Sequence, residues 1–92
     1  MFCVVCFDIC DDRTRYRAVK ILKSYGIRVQ KSVFECPSLS EEQFLKMQGR
    51  MEACIDSLQD SVRYYFLCKQ CISKVENSGI GEKPQTSPYK VV

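Results

Sequence analysis

Asp8 is the residue hardest to explain without chemistry. It stands in Met1-Phe2-Cys3-Val4-Val5-Cys6-Phe7-Asp8-Ile9, a β-branched, aromatic and cysteine-rich run that reads as a strand. When extended, the run sends Val4, Cys6 and Asp8 to one side and Cys3, Val5, Phe7 and Ile9 to the other. A strand apolar on both sides is a central one, and a carboxylate there is costly unless it is paired, hydrogen-bonded or metal-bound. One role for Asp8 is local: a strand-end aspartate accepts backbone N–H groups of the following turn, as Asp11 and Asp12 also can. The other role needs a second copy of the chain. Near a two-fold axis two Asp8 carboxylates meet, and like charges in a partly buried site call for a cation or a shared proton. A magnesium-type ion (Mg2+ or Mn2+), with oxygen ligands and retained waters, suits two carboxylates better than zinc does. It would activate water and stabilise charge on a phosphodiester.

Cations follow closely. Arg13, Arg15, Arg17 and Lys20 come directly after Asp8, with Arg28 and Lys31 one element later. Surface arginines usually form a solvated helix face. At the carboxyl end of the strand carrying Asp8, they are also placed to contact phosphates, which guanidinium forks suit. Phe34 is either core or a platform for a base. Among the cysteines, Cys68-Lys69-Gln70-Cys71 is a CxxC, but zinc usually takes four ligands, which only a dimer would supply. Cys3, Cys6 and Cys10 have cluster-like spacing, yet Cys3 and Cys6 face opposite sides of a strand and cannot converge on one iron. Buried thiols acting as small hydrophobes account for most of them.

Composition narrows the field. Ninety-two residues make one thin domain, which buries only about 60–65% of its unfolded surface, so a partner subunit would help. The 46% hydrophobic and 27% charged content is that of an ordinary globular protein, and a net charge of +3 permits nucleic acid without establishing it. Seven cysteines, an odd count with several inside regular elements, argue for reduced thiols and a cytoplasmic protein. With no histidine, any catalysis falls to carboxylates, thiols, tyrosines or metal-bound water. The first apolar run lacks a basic flank and is too short for a signal peptide or a membrane span.

The elements that would position these groups follow in order. After the first strand, Asp11 or Asp12 caps a helix beginning near Arg13, whose apolar stripe is Ala18, Ile21, Leu22 and Tyr25, with Gly26 as its C′ terminator. Residues 27–35 read as a strand that either bends or splits in two before Pro37. Ser40-Glu41-Glu42-Gln43 is a capping box with Leu39 and Phe44 as its hydrophobic staple. Phe44, Met47, Met51, Cys54, Ile55 and Leu58 trace the second helix's stripe, the methionines as core. Residues 61–68 alternate as a strand, and 71–76 read as a last one. The domain spans 1–78, and 79–92 form a Gly/Pro/Ser-containing tail.

This order predicts an α+β, ferredoxin-like sandwich with an extra carboxyl-terminal strand, both helices on one face of an antiparallel sheet. The two-sided apolar first strand predicts that the other face is covered, most economically by a second subunit packed sheet to sheet.

Phe7-Asp8-Ile9-Cys10-Asp11-Asp12, the arginine-rich helix ending Lys23-Ser24-Tyr25-Gly26, and Arg28-Val29-Gln30-Lys31-Ser32-Val33-Phe34-Glu35-Cys36 together resemble the small CRISPR-associated Cas-two family. Asp60-Ser61-Val62-Arg63-Tyr64-Tyr65, the CxxC and Ser73-Lys74-Val75-Glu76-Asn77-Ser78-Gly79 extend the resemblance over roughly residues 1–79. It implies a homodimer with paired Asp8 holding a divalent metal, and a nuclease activity on RNA or double-stranded DNA. It links Arg15, Arg17, Arg28 and Phe34 with that activity or with nucleic-acid contact. It further implies a part in spacer acquisition, the dimer bridging two dimers of the Cas-one integrase and cradling the duplex. The chain from Ile72 onward would lie at the subunit edge and meet the integrase. Phe7 stands where the family often has tyrosine, and Asn77 interrupts the apolar pattern of the last strand. A scaffold without catalysis and an mRNA-cleaving toxin on the same fold are the alternatives.

Overall fold

The computed structural model describes residues 1–81, 83 and 84. The expected tail at 79–92 therefore falls largely outside the described residues. The elements are β1 (Phe2–Asp8), α1 (Asp12–Lys23), β2 (Ile27–Gln30), β3 (Val33–Cys36), α2 (Glu41–Cys54), β4 (Ser61–Leu67) and a single turn, α3 (Lys69–Ile72). The four strands make one sheet in the order β2-β3-β1-β4, every pairing antiparallel. This is the ferredoxin-like α+β arrangement that the element order predicts.

β1 is central because both of its neighbours find apolar partners along it. Cys3, Val5 and Phe7 are buried on one side, against Phe34 and Cys36 of β3, Ala18, Val19 and Leu22 of α1, and Met47 and Met51 of α2. Burial of such side chains is worth about 1.5–3 kcal/mol each. The opposite side is different. Val4 and Cys6 are half-buried and Asp8 is exposed. In register, Val4 lies between Glu35 and Tyr65, Cys6 between Val33 and Arg63, and Asp8 beside Ser61. In a single chain this face is covered at Phe2, which is buried, and partly open along Val4, Cys6 and Asp8.

The helix ends follow their local chemistry. Asp11 caps α1, accepting from the Thr14 backbone N–H at 2.8 Å and the Thr14 hydroxyl at 3.0 Å. Ser40 and Gln43 form the full capping box of α2, with bonds of 3.1 and 2.9 Å. Leu39 is buried, its backbone N–H bonded to the Met1 carbonyl, and Phe44 packs edge-on against Tyr64 and Phe66.

Of the two forms open to residues 27–35, the structure takes the divided one. Lys31 and Ser32 turn the chain between β2 and β3, and a bulge interrupts the pairing between Arg28 and Gln30. Three other expectations are corrected. Gly26 does not end α1 in the left-handed conformation, since among the described residues only Gly79 and Gly81 have positive φ. It is glycine because a Cβ there would run into the Glu35 carbonyl and the Cys36 sulfur where the chain passes beneath β3. Leu58 is not on the α2 stripe. The chain leaves the helix at Ile55 and turns on Asp56, whose carboxylate accepts from the Leu58 N–H, leaving Leu58 94% exposed.

The extra strand at 71–76 is absent as well. Lys69 and Gln70 lack the glycine or asparagine that a two-residue hairpin favours. The chain instead closes a helical turn, Ile72 N–H to Cys68 carbonyl at 3.0 Å, which places Ile72 at 6% exposure. Among the described residues no helix is long and apolar enough to cross a membrane.

Candidate functional site

The end of β1 and the start of α1 form the floor of a shallow cleft of about 260 Å³ lined by Phe7, Asp8, Ile9, Arg15, Lys31 and Ser32. Its wall is fixed by the Phe7 N–H, which donates to the Ser32 carbonyl at 3.1 Å and ties β1 to the β2–β3 turn. Asp8 is exposed at the rim, the last residue of β1. Its carboxylate has no hydrogen bond or ion pair among the described residues. Among the described residues the turn-capping role is taken by Asp11 alone; Asp12 accepts only from the Arg15 guanidinium, and Asp8 caps nothing. Hydrogen bonding to Thr14 holds the Asp11 carboxyl below its ordinary value.

Arg15 is occupied. Its guanidinium donates to the Ile9 carbonyl (3.3 and 3.1 Å), to the Cys10 carbonyl (3.2 Å) and to the Asp12 carboxylate (2.6 Å). It braces the loop that follows Asp8 and so acts as a positioning residue. Arg28 is tied to the Lys31 carbonyl at 3.1 and 2.6 Å and braces the neighbouring turn. The Lys31 side chain remains exposed at the cleft. Arg13 and Arg17 are exposed on α1, without an ion pair among the described residues, and do not line the cleft. Phe34 is fully buried, its ring centroid 6.3 Å from that of Phe7. Its assignment to nucleic-acid contact is corrected for this conformation: a core ring beneath the sheet offers no face to a base. Of the predicted residues, then, Asp8, Arg15 and Lys31 meet at one cleft.

Asp60 is a structural residue that the sequence pattern does not reveal. Among the described residues it is the one buried charged side chain, and its two carboxylate oxygens accept from the Cys10 N–H (3.1 Å) and the Asp56 N–H (3.0 Å). It therefore fixes the exit of β1 from fifty residues away in sequence. Lying one residue before β4, it falls outside the strand's alternation, and its only local signal is its pairing with Asp56 in the turn. Asp60→Ala is expected to cost about 1–3 kcal/mol by orphaning two N–H groups. Asp60→Asn, which keeps one acceptor, should cost less. Equal urea midpoints for both variants and the parent would refute this role.

No group of three or more histidine, cysteine, aspartate or glutamate side chains that could hold a metal occurs among the described residues. One chain brings a single carboxylate to the cleft, and Cys68 with Cys71 brings only two sulfurs to the far end of the sheet.

A family model described as "CRISPR associated protein Cas2" matches residues 1–75. The chain belongs to the Cas2 family. A relative from Synechocystis sp., named CRISPR-associated endoribonuclease Cas2 3, is 41% identical over 85 residues, covering 92% of this chain and 89% of that one. Streptococcus pyogenes Cas2, solved at pH 6.5, superposes with a TM-score of 0.77 at 33% identity, over 86% of this chain and 100% of that one. A chain of a partial Cas6-RT-Cas1–Cas2 complex gives a TM-score of 0.73 at 28% identity, over 83% and 88%. Membership in the Cas2 family accords with the four-stranded antiparallel sheet and its helices.

Proposed function

We propose that the chain acts as a two-fold homodimer, packed sheet to sheet, that binds double-stranded DNA and bridges the Cas1 integrase in spacer acquisition. We further propose that its paired Asp8 residues support metal-dependent cleavage of phosphodiesters in RNA or duplex DNA. The observation that carries this reading is an exposed Asp8, unpartnered among the described residues, on a sheet face whose neighbouring β1 residues, Val4 and Cys6, are apolar and only half-buried. A second copy on that face would bury them and bring a second carboxylate. The relatives' endoribonuclease names and the likeness to a chain of a Cas1–Cas2 complex lend support.

The donor set around the cleft is oxygen: the Asp8 carboxylate, with Ser32 lining the cleft and Ser61 beside Asp8 in register. That suits a hard ion such as Mg2+ or Mn2+ once two chains contribute. When bound, such an ion activates water and stabilises charge on the phosphate. Lys31, exposed at the cleft, is assigned to phosphate oxygens, and Arg15, through the Ile9 and Cys10 carbonyls, keeps the loop in place. Arg13 and Arg17, exposed on α1 and unspent among the described residues, are assigned to the duplex backbone.

Light scattering should give the mass of two chains, and Mg2+-dependent cleavage should fall with the dimer fraction on dilution. Full cleavage by a monomer would sink the paired site. Arg13→Ala combined with Arg17→Ala should weaken duplex binding on every sequence. The slope of log affinity against log salt should become shallower by roughly 0.9 for each phosphate no longer neutralised. An unchanged slope would refute that face. The scaffold-only reading rests on the lone carboxylate that each chain brings to the cleft and the lack of histidine in the sequence.

A further inference from the structure

Seven cysteines divide into two populations. Cys3 and Cys36 are fully buried and face each other across β1 and β3. Burial pushes their thiols up to about 12 and about 11, which leaves them protonated and inert. Cys6 and Cys54 are half-buried, and Cys10 is exposed but alone, its sulfur 3.7 Å from the Gln59 carbonyl. Cys68 and Cys71 alone are both exposed and adjacent. They sit where β4 hands the chain to the turn α3, and the Ile72 N–H bond to the Cys68 carbonyl closes that turn and brings residues i and i+3 to one side. Ile72, buried next to Cys71, anchors the turn to the domain. β4 runs antiparallel to β1 with Leu67 opposite Phe2 and Ser61 opposite Asp8, so the pair lies at the other end of the sheet from Asp8, about 20 Å away.

We propose that Cys68 and Cys71 form a thiol–disulfide exchange site that reacts with low-molecular-weight disulfides, Cys68 as the attacking and Cys71 as the resolving thiol. Two thiols per chain suffice for this, whereas a zinc site would need two more ligands from elsewhere. Cys68 makes no capping bond of good geometry with its side chain, but the N–H and thiol of nearby Cys71 favour its thiolate and hold it below the ordinary value. The same proximity raises Cys71. The Cys68 thiolate attacks one sulfur of the disulfide, forming a mixed disulfide and releasing one thiolate. Cys71, its proton passing to solvent, then attacks the Cys68 sulfur and releases the second. The protein loses two electrons and two protons, and the small disulfide is reduced to two thiols. The ring so closed would lock the turn at the root of the carboxyl-terminal segment.

The test is to equilibrate the whole reduced protein with glutathione and glutathione disulfide, quench with acid and map the products by mass spectrometry. A loss of two hydrogens confined to the Cys68–Cys71 peptide is expected, reversed by excess glutathione. Cys71→Ser should trap a stable mixed disulfide on Cys68, and Cys68→Ser should leave Cys71 largely unmodified. At neutral pH iodoacetamide should alkylate Cys68 on the order of ten-fold faster than Cys10. Three results would overturn the proposal: equal alkylation of Cys68 and Cys10, a mixed disulfide that Cys71 never resolves, or one zinc ion per two chains with both thiols protected from glutathione disulfide. Both serine variants leave buried positions untouched, so circular dichroism should match the parent. If a variant proves misfolded, the parent's product map and alkylation rates decide alone.

Discussion

Asp8→Asn is expected to lower Mg2+- or Mn2+-dependent cleavage by roughly a thousand-fold while leaving the fold intact. The magnitude follows from the several kcal/mol that a bound metal contributes to transition-state charge, with each factor of ten in rate worth about 1.36 kcal/mol. The stability of the single chain should change by no more than about 0.5 kcal/mol, because the carboxylate is exposed and bonds to nothing among the described residues. Asparagine keeps the shape of the side chain, so the pairing of Asp8 with Ser61 survives. A second readout separates the paired-site account from a merely local one. Two facing carboxylates repel without a cation, so in chelator the Asp8→Asn dimer should dissociate less readily than the parent, and added Mg2+ should close the gap. If Asp8 instead capped the following turn, the substitution would lower the unfolding midpoint and leave metal-dependent cleavage untouched. Loss of cleavage with no change in metal-dependent dimer affinity would place the ion on one chain alone.

What could be read from the sequence was what repeats along it. Alternation in residues 2–9 separates Cys3, Val5 and Phe7 from Val4, Cys6 and Asp8 correctly, and the structure buries the first set under two helices. Capping residues Asp11 and Ser40 announce helix starts because the bond they make spans only three residues. Contacts that join distant segments carry no such period. Asp60 holds the Cys10 N–H across fifty residues, and Gly26 is small because β3 crosses it. Arginine composition likewise suggests phosphate contact, but which guanidinium is free depends on the carbonyls around it. Arg15 and Arg28 are spent on backbone oxygens, while among the described residues Arg13 and Arg17 are not. The strand expected at 71–76 fails for a related reason. Its weak alternation does not decide between sheet and turn, whereas the buried place open to Ile72 favours the turn.

Phe34→Ala should cost about 3–5 kcal/mol, the usual penalty for emptying a buried aromatic site. That is a large share of what a domain of this size has in hand. The ring is fully enclosed, set against Phe7 on β1, and opposite Val5 across the β1–β3 pairing. Nothing collapses easily into the space, because Leu22, Met47 and Met51 are themselves fully buried and held by their helices. Nucleic-acid binding and cleavage by Phe34→Ala should therefore fall only in step with its unfolded fraction, and recover in stabilising osmolyte. Phe34→Leu provides the discriminating case. It keeps an apolar side chain of similar volume and should cost under about 1.5 kcal/mol, leaving a folded protein at room temperature. A base-stacking ring could not be replaced by leucine without losing about 1–3 kcal/mol of binding to single strands, whereas a core ring could. Phe34→Leu that melts near the parent yet binds about ten-fold more weakly would show that the ring reaches the ligand, and that β3 opens to let it. Parental affinity in that variant would leave recognition to the exposed cations and to Asp8, with Phe34 holding the sheet on which they stand.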